Sequence, residues 1–239
     1  GSPQVQICSD SSCTTVVQGW TAGPTSITAN QYMQLRQTSD AAGGATVTAQ
    51  VIIGSTAGFW NVSNAGGDCV STTPPVGTVC ADGTIYAGLS PDGNVKMFTT
   101  RCDYGQTWNG SGCTGTRSNQ TWNNGSSNWT TTGLTSSVNG KASSSYLHSL
   151  ADAGGPYHAA DICENLNENG YTDWFLPSRD ELTVIYAGRN VIRNLDTSGP
   201  HYWSTGEYNI NSAWTIVFSS GMPYELFKSA TSLVRCVRR

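Results

Sequence analysis

The sequence has few charged residues and no long apolar run. Only 12% of its 239 residues are charged, and the 12 Lys and Arg are scattered except for Arg235, Arg238 and Arg239 near the C-terminus. Nucleic-acid binding needs a clustered basic patch, so we expect no nucleic-acid partner. No apolar run approaches the roughly 18 residues of a membrane-spanning helix, so we expect no membrane insertion by this chain.

Signatures of catalysis are missing as well. The sequence has three histidines, no C-x-x-C pair, no G-x-S-x-G, no H-E-x-x-H and no phosphate-binding loop. His148 and His158 have no carboxylate and nucleophile close to them in the sequence, so surface or capping roles are the simpler interpretation. We therefore expect that the protein is not an enzyme.

The residues that are abundant favour strands and turn-rich loops. The chain has 27 Gly and many Ser, Thr and Asn, a composition that suits antiparallel sheets better than helical bundles. Aromatic residues make up 10% of the chain, with 8 Trp, and this content argues against disorder.

The eight cysteines indicate disulfides and an oxidising, extracytoplasmic location, either secreted or on the cell surface. Eight cysteines allow 105 connectivities, so the sequence alone does not fix the pairing. Pairing of neighbours, with the last bridge assigned by elimination, predicts Cys8–Cys13, Cys69–Cys80, Cys102–Cys113 and Cys163–Cys236. The last bridge closes the longest loop and stabilises by about 4 kcal/mol in the chain-entropy treatment.

Residues 1–64 are predicted to form a small all-β module. Residues 45–53 and 31–37 alternate between apolar and polar side chains, and 59–63 is a further predicted strand. Short strands at this spacing suggest an Ig-like β-sandwich, which would act as a spacer or docking module. Residues 65–79 are rich in Gly and Pro and are predicted to be a linker.

Residues 80–239 are predicted to form an α+β domain. A hairpin is expected from strands 84–87 and 95–99 around a Pro-Asp-Gly turn. Apolar residues at helical spacing predict a helix over 156–169. The S-x-x-E pair Ser178 and Glu181 predicts a capping box, and Gly188 predicts a left-handed end to that helix. Further strands are predicted at 201–204, 213–218, 226–228 and 232–238.

Five segments of this domain occur in an order that resembles a known family. They are A-A-D-I-C-E-N-L (159–166), G-Y-T-D-W-F-L-P-S-R-D-E-L (170–182), Y-W-S-T-G-E (202–207), A-W-T-I-V-F-S-S-G (213–221) and V-R-C-V-R (234–238). Together they are similar to the Lcl C-terminal domain family, DUF1566, over about residues 80–239. The resemblance implies a C-type lectin-like fold, related to the formylglycine-generating-enzyme-like fold. It also supports the bridge between the first helix and the last strand.

The resemblance raises the question of calcium, because C-type lectins bind sugars through it. The chain has Trp108-Asn109 and Trp122-Asn123 but lacks the E-P-N and Q-P-D motifs of calcium-dependent lectins. We therefore expect no cofactor, with Ca²⁺ as the alternative that remains open.

Candidate ligand-binding residues fall into two groups in which aromatic rings alternate with hydrogen-bonding side chains. The first group is Trp108, Asn109, Trp122, Asn123 and Trp129, whose tryptophans either anchor a polar loop or are displayed on it. The second group lies in two loops and comprises Glu207, Tyr208, Asn209, Asn211, Tyr224 and Glu225. Three other tryptophans, Trp174, Trp203 and Trp214, are predicted to be core residues.

Family members tend to lie at the ends of bacterial surface proteins, pilus-associated proteins and phage tail fibres. The resemblance therefore implies an extracellular bacterial adhesin or receptor-binding tip that recognises a glycan or protein on a host or cell surface. The alternative is a structural subunit of a pilus or fibre that packs mainly against its own kind. The two hypotheses differ in whether the exposed aromatic residues contact a receptor or a neighbouring subunit.

Overall fold

A computed structural model describes residues 3–36, 46–53, 56–63, 69, 73–127 and 129–239. The chain forms two compact units, Gly1–Ala65 and Gly66–Arg239.

The first unit contains a three-stranded antiparallel sheet. Its central strand is β1 (Gln4–Cys8), which pairs with β2 (Val16–Thr21) on one side and β3 (Tyr32–Arg36) on the other. Ile7 and Cys8 are buried, so the apolar end of β1 holds this sheet together.

A turn after β1 is closed by the Cys8–Cys13 disulfide. The Asp10 carboxylate accepts hydrogen bonds from the backbone N–H groups of Thr14, Thr15 and Ser12 inside this turn. These bonds, with that of Thr14 the strongest, lower the pKa of Asp10.

The second element of this unit is a hairpin of β4 (Thr46–Ile53) and β5 (Thr56–Ser63), paired from Thr46↔Ser63 to Ile53↔Thr56. Three of the predicted strands are thus present in the unit. The Ig-like arrangement of the strands stays a prediction.

The predicted linker, 65–79, is described only in part, since 65–68 and 70–72 lie outside the described residues. Its last residues belong to the second unit. The Gly77 N–H donates to the Tyr86 carbonyl at 2.9 Å, and Val79 is 8% exposed within the core.

The second unit contains a sheet formed by both ends of its sequence. Strand β7 (Lys96–Thr99) lies between β6 (Ile85–Leu89) and the C-terminal β15 (Val237–Arg238). The predicted turn between β6 and β7 is present, and Gly93 has the positive φ of 78° that glycine accepts without strain.

The central sheet of this unit is antiparallel in the order β11 (His201–Glu207), β12 (Ser212–Val217) and β13 (Pro223–Phe227). Two short pairs accompany it, β8 (Thr107–Trp108) with β9 (Cys113–Thr114), and β10 (Gln120–Thr121) with β14 (Thr231–Ser232).

The unit has three helices in its described part, α1 (Gly140–Ser149), α2 (His158–Glu164) and α3 (Arg179–Ala187). Helices α1 and α3 pack against the central sheet, and α2 packs against α1 and β10. The α3 face of the sheet contributes Tyr202 and Ile216 to one buried cluster, together with Leu182 and Ile185. The opposite face buries Trp203 and Ala213 with apolar residues of α1 and α2. The unit is therefore a mixed α+β fold, as predicted, and the lectin-like assignment stays a prediction.

The capping box at the start of α3 is present as predicted. Ser178 Oγ accepts from the Glu181 N–H at 3.2 Å, and the Glu181 carboxylate accepts from the Ser178 N–H at 2.9 Å. Other details differ from the predictions. Gly188 ends the helix with φ of −86° rather than a left-handed turn, and α2 ends at Glu164 instead of extending to residue 169.

All eight cysteines form the four predicted disulfides, and the longest bridge, Cys163–Cys236, joins α2 to the last residues of the chain. In the described parts of the chain, no helix is long and apolar enough to span a bilayer.

Candidate recognition surface

The first predicted ligand-binding residue, Trp108, lies in the β8–β9 hairpin, which the Cys102–Cys113 disulfide closes. Its ring is half-buried under the Arg101 guanidinium, whose carbon is 4.9 Å from the ring centre. The Asn109 side-chain oxygen accepts from the N–H groups of Ser111 and Gly112, both at 3.0 Å. The side-chain oxygen of Asn109 is therefore used within its own turn.

Trp122 and Asn123 are buried, which corrects the hypothesis that they are displayed. Trp122 has no exposed surface, and its indole N–H donates to the Ser204 carbonyl at 2.8 Å. Asn123 is 1% exposed and donates to the Ser126 carbonyl at 3.1 Å. These two residues attach the polar loop to the core and offer no face to a ligand.

Glu207 is also an internal residue, 6% exposed, and not a ligand-binding group at the surface. Its carboxylate forms an ion pair with the buried Lys228 ammonium and accepts from the N–H groups of Thr132 and Gly133, both at 2.9 Å. Lys228 also donates to the Thr130 carbonyl at 2.8 Å. The pair therefore fixes residues 130–133 against the end of β13.

An exposed group of aromatic side chains lies beside this ion pair. Strand β13 alternates, so that Glu225 and Phe227 share one face of the sheet with Trp214 on β12. The Phe227 ring is 59% exposed and stacks on Trp129, with centres 6.0 Å apart and planes 9° from parallel. Tyr208 is 49% exposed and meets the Trp214 ring edge-on at 4.7 Å. We call Trp129, Tyr208, Trp214, Glu225 and Phe227 the aromatic surface.

The loop that carries Tyr208 is held by its own hydrogen bonds. The Asn209 side-chain oxygen accepts from the N–H groups of Asn211 at 2.8 Å and Ser212 at 2.9 Å. The Asn211 carbonyl accepts from the Lys228 N–H at 2.9 Å. Asn209 and Asn211 thus position the ring of Tyr208, and their polar groups are partly used within the protein.

Tyr224 lies on the other face of the sheet, opposite Thr215. Its ring meets that of His201 edge-on at 5.1 Å. Burial lowers the pKa of His201, so the imidazole is held neutral at physiological pH. The structure therefore separates Tyr224 from Tyr208, although the sequence placed them in one predicted group.

Trp214 and Phe227 belong to the surface although the sequence did not suggest it. Trp214, predicted to be a core residue like the fully buried Trp174 and Trp203, is only half-buried. The guanidinium carbon of Arg179, the first residue of α3, lies 5.1 Å from the Trp214 ring centre. The sequence P-Y-E-L-F of β13 has no polar–apolar alternation, so only the pairing of β12 with β13 places Phe227 on the face of Trp214.

The chemistry of this surface suits binding. Its flat rings offer apolar contact, the exposed Glu225 carboxylate accepts hydrogen bonds, and Arg179 adds a positive charge at the edge. Within the described residues, no group of three or more His, Cys, Asp or Glu side chains is arranged to hold a metal ion.

The fold and this site define a disulfide-stabilised α+β domain with an exposed aromatic surface. The sequence profile of the Lcl C-terminal domain matches residues 100–238, more than half of the chain, so the protein belongs to this family of bacterial surface-associated domains. The match begins after β6 and β7, although β7 pairs with β15 inside the matched range. No curated protein matches the chain.

Proposed function

We propose that the protein is an extracellular bacterial adhesin or receptor-binding tip that recognises a glycan or protein surface through its aromatic surface. The observation that carries the proposal is the exposure of Phe227 on the sheet and of Tyr208 on the adjoining loop. Aromatic side chains are enriched where proteins bind partners, because they offer a large contact area with little loss of conformational freedom.

The support beneath the surface favours recognition. The Glu207–Lys228 ion pair holds residues 130–133 beside Phe227, and the Asn209 side chain orders the loop that carries Tyr208. A surface ordered before binding loses less entropy when the partner arrives.

The proposal also covers the fold of each unit, the location of the protein and the kind of activity. We assign a lectin-like fold to the second unit and an Ig-like spacer role to the first. The four disulfides favour an oxidising, extracytoplasmic location. Binding without catalysis is the proposed activity, and no metal is required for it.

The proposal is tested with a glycan array and a bacterial or host cell-binding assay, each with and without calcium. Phe227→Ala and Tyr208→Ala should each reduce binding by about tenfold or more. Tyr146→Ala, which removes an equally exposed ring from α1, is the matched control and should leave binding unchanged. If all three variants bound as tightly as the unchanged protein, the aromatic surface would have no role in binding.

A second candidate function, a structural subunit of a pilus or fibre, is favoured by the position of β13. In the described sheet this strand has a partner on one side only. An open edge can pair with a neighbouring copy. Light scattering over a range of protein concentrations would show growing assemblies for a subunit and a constant mass for a receptor-binding tip.

A further inference from the structure

A cleft of about 480 Å³ lies between α2 and the loop that follows Cys102. None of the residues that line it belongs to the aromatic surface. Its volume falls within the range of pockets that bind small molecules, about 300–1,000 Å³.

One part of the cleft lining is apolar. The Tyr104 ring is 41% exposed and forms part of the lining. Ile162 and Leu166, four residues apart, contribute half-buried aliphatic side chains. A flat ring beside aliphatic groups favours a ligand with an apolar face.

The polar part of the lining presents amide groups. The Gln120 side-chain N–H₂ donates to Ser118 Oγ at 3.0 Å, and the Asn165 N–H₂ donates to the Asp161 carbonyl at 2.9 Å. Each bond uses one of the two N–H groups of its amide, so the carbonyl oxygen and one N–H can pair with the hydroxyls of a ligand.

His158 adds a further acceptor, because its hydrogen bonds fix the tautomer. Thr121 Oγ donates its single proton to the Asn123 carbonyl at 2.6 Å. The His158 Nδ1, 3.0 Å from the same hydroxyl, must therefore donate to it. In the neutral ring, Nε2 then carries the free lone pair.

The cleft lining contains one carboxylate, that of Asp161. Its Oδ1 is 2.6 Å from His148 Nδ1, so this oxygen already has a hydrogen-bond partner. Among the described residues the lining contains no Lys or Arg, so an anionic ligand would lie near the carboxylate without a compensating lysine or arginine. The lining therefore favours a neutral ligand with several hydroxyl groups and one apolar face.

We propose that this cleft binds a single neutral pyranose, with the sugar ring against Tyr104 and its hydroxyls donating to Gln120, Asn165 and His158. This goes beyond the proposed function, because the site uses a different part of the domain. It gives the protein a small-sugar site separate from the surface that contacts a larger partner.

The test is an NMR titration of the ¹⁵N-labelled full chain with the methyl glycosides of glucose, galactose, mannose and N-acetylglucosamine. At least one glycoside should bind with a Kd of about 1–10 mM, as expected for a ligand of this size. The shifted amides should lie in α2, in residues 103–106 and in β10.

Two variants and one control sharpen the titration. Tyr104→Ala should weaken binding by about tenfold, and Asn165→Ala, at an exposed position, should weaken it by about threefold. Tyr146→Ala should bind like the unchanged protein. Unaltered spectra outside the cleft show that each variant is folded.

The proposal fails if no glycoside shifts the cleft amides, or if Tyr104→Ala binds the glycoside as tightly as the unchanged protein. It also fails if glucuronate binds as well as neutral sugars. Shifts confined to the aromatic surface would refute the cleft but support the proposed function. Binding in the cleft that Phe227→Ala leaves unchanged would support the cleft even if the aromatic surface had no receptor.

Discussion

Two regions of the larger unit depart from the usual rule that charged side chains are exposed and large aromatic side chains are buried. The Arg235 and Asp103 side chains form an ion pair with no exposed surface, whereas Phe227 and Tyr208 leave about half of their surface open to solvent. In a chain with few charges, the buried pairs join irregular segments that have little regular hydrogen bonding of their own. The rings left outside form the surface that we propose contacts another molecule.

The Arg235 network shows how a buried charge organises the fold. Its guanidinium donates to Asp103 at 3.0 Å, to the Thr99 hydroxyl at 3.0 Å and to the Thr100 carbonyl. Asp103 also accepts from the Tyr202 hydroxyl at 2.8 Å. Burial and, to a lesser extent, the Asp103 charge raise the pKa of Tyr202, so that hydroxyl stays a donor.

The largest effect is expected from Arg235→Met, which removes the buried ion pair with Asp103. The change removes the buried cation beside Asp103, leaves the partly exposed Arg117 as its other cationic partner, and takes away the donor to the Thr100 carbonyl. It should lower the free energy of unfolding by about 3–5 kcal/mol, measured by urea denaturation. Arg117 is a second partner of Asp103, and its own side chain is 30% exposed. Arg117→Met should therefore lower the free energy of unfolding by only about 1 kcal/mol or less. If the two variants lost equal stability, burial would not be the reason that the Arg235 ion pair stabilises the fold.

A similar but more local effect is expected from Lys228→Met. Glu207 would lose its cation, and the free energy of unfolding should fall by about 3 kcal/mol. Since the same pair supports the aromatic surface, hydrogen exchange at residues 130–134 should accelerate more than exchange in β6 and β7. If hydrogen exchange accelerated equally throughout the unit, the Glu207–Lys228 pair would not act mainly on residues 130–134.

Substitutions of two neighbouring residues on β13 test whether the exposed Phe227 ring contributes to stability. Phe227→Ala should change stability by about 1 kcal/mol or less, because its ring is 59% exposed. Leu226→Ala, on the opposite face and packed against the Trp203 cluster, should cost about 2 kcal/mol. If Phe227→Ala were the more costly change, its ring would be a structural rather than a recognition residue.

The smallest effect is expected from pH at His201. Its lowered pKa means that the unfolded chain binds the proton more readily. Stability should therefore decrease as pH falls through the ordinary histidine pKa of about 6.5 towards the folded value. The Tm of His201→Asn between pH 8 and pH 5 should fall less than that of the unchanged protein. An equal decrease would exclude His201 as a contributor.

Local chemistry made part of the fold predictable. The α3 capping box depends on residues three positions apart, and three disulfides join cysteines close in sequence. Helix α1 was not predicted, because its buried face contains Gly140, Ser143, Ser144 and Leu147 and shows little apolar periodicity. The α2 prediction was too long because the apolar spacing continues beyond its last hydrogen-bonded turn.

The site was predictable only in part, because burial depends on contacts between distant residues. Trp122 packs in the core cluster that contains Trp203, and its indole N–H donates to the Ser204 carbonyl. The buried Glu207 carboxylate is stabilised by the Lys228 ammonium and the Thr132 N–H. Exposure of Trp214 depends on where the start of α3 lies over the sheet. Tyr208 was identified because a turn-rich loop with an aromatic residue is a local signal.

The Cys163–Cys236 disulfide limits how far the second unit can be extended by a pulling force. The bond closes a loop of 73 residues, whose extended contour would be about 250 Å. A pulling force along the chain passes from Cys163 to Cys236 through the covalent bridge, so this length cannot be drawn out. Tyr208, Trp214 and Phe227 all lie inside the loop, so a force applied to the chain outside the two cysteines does not draw out the segments that carry them.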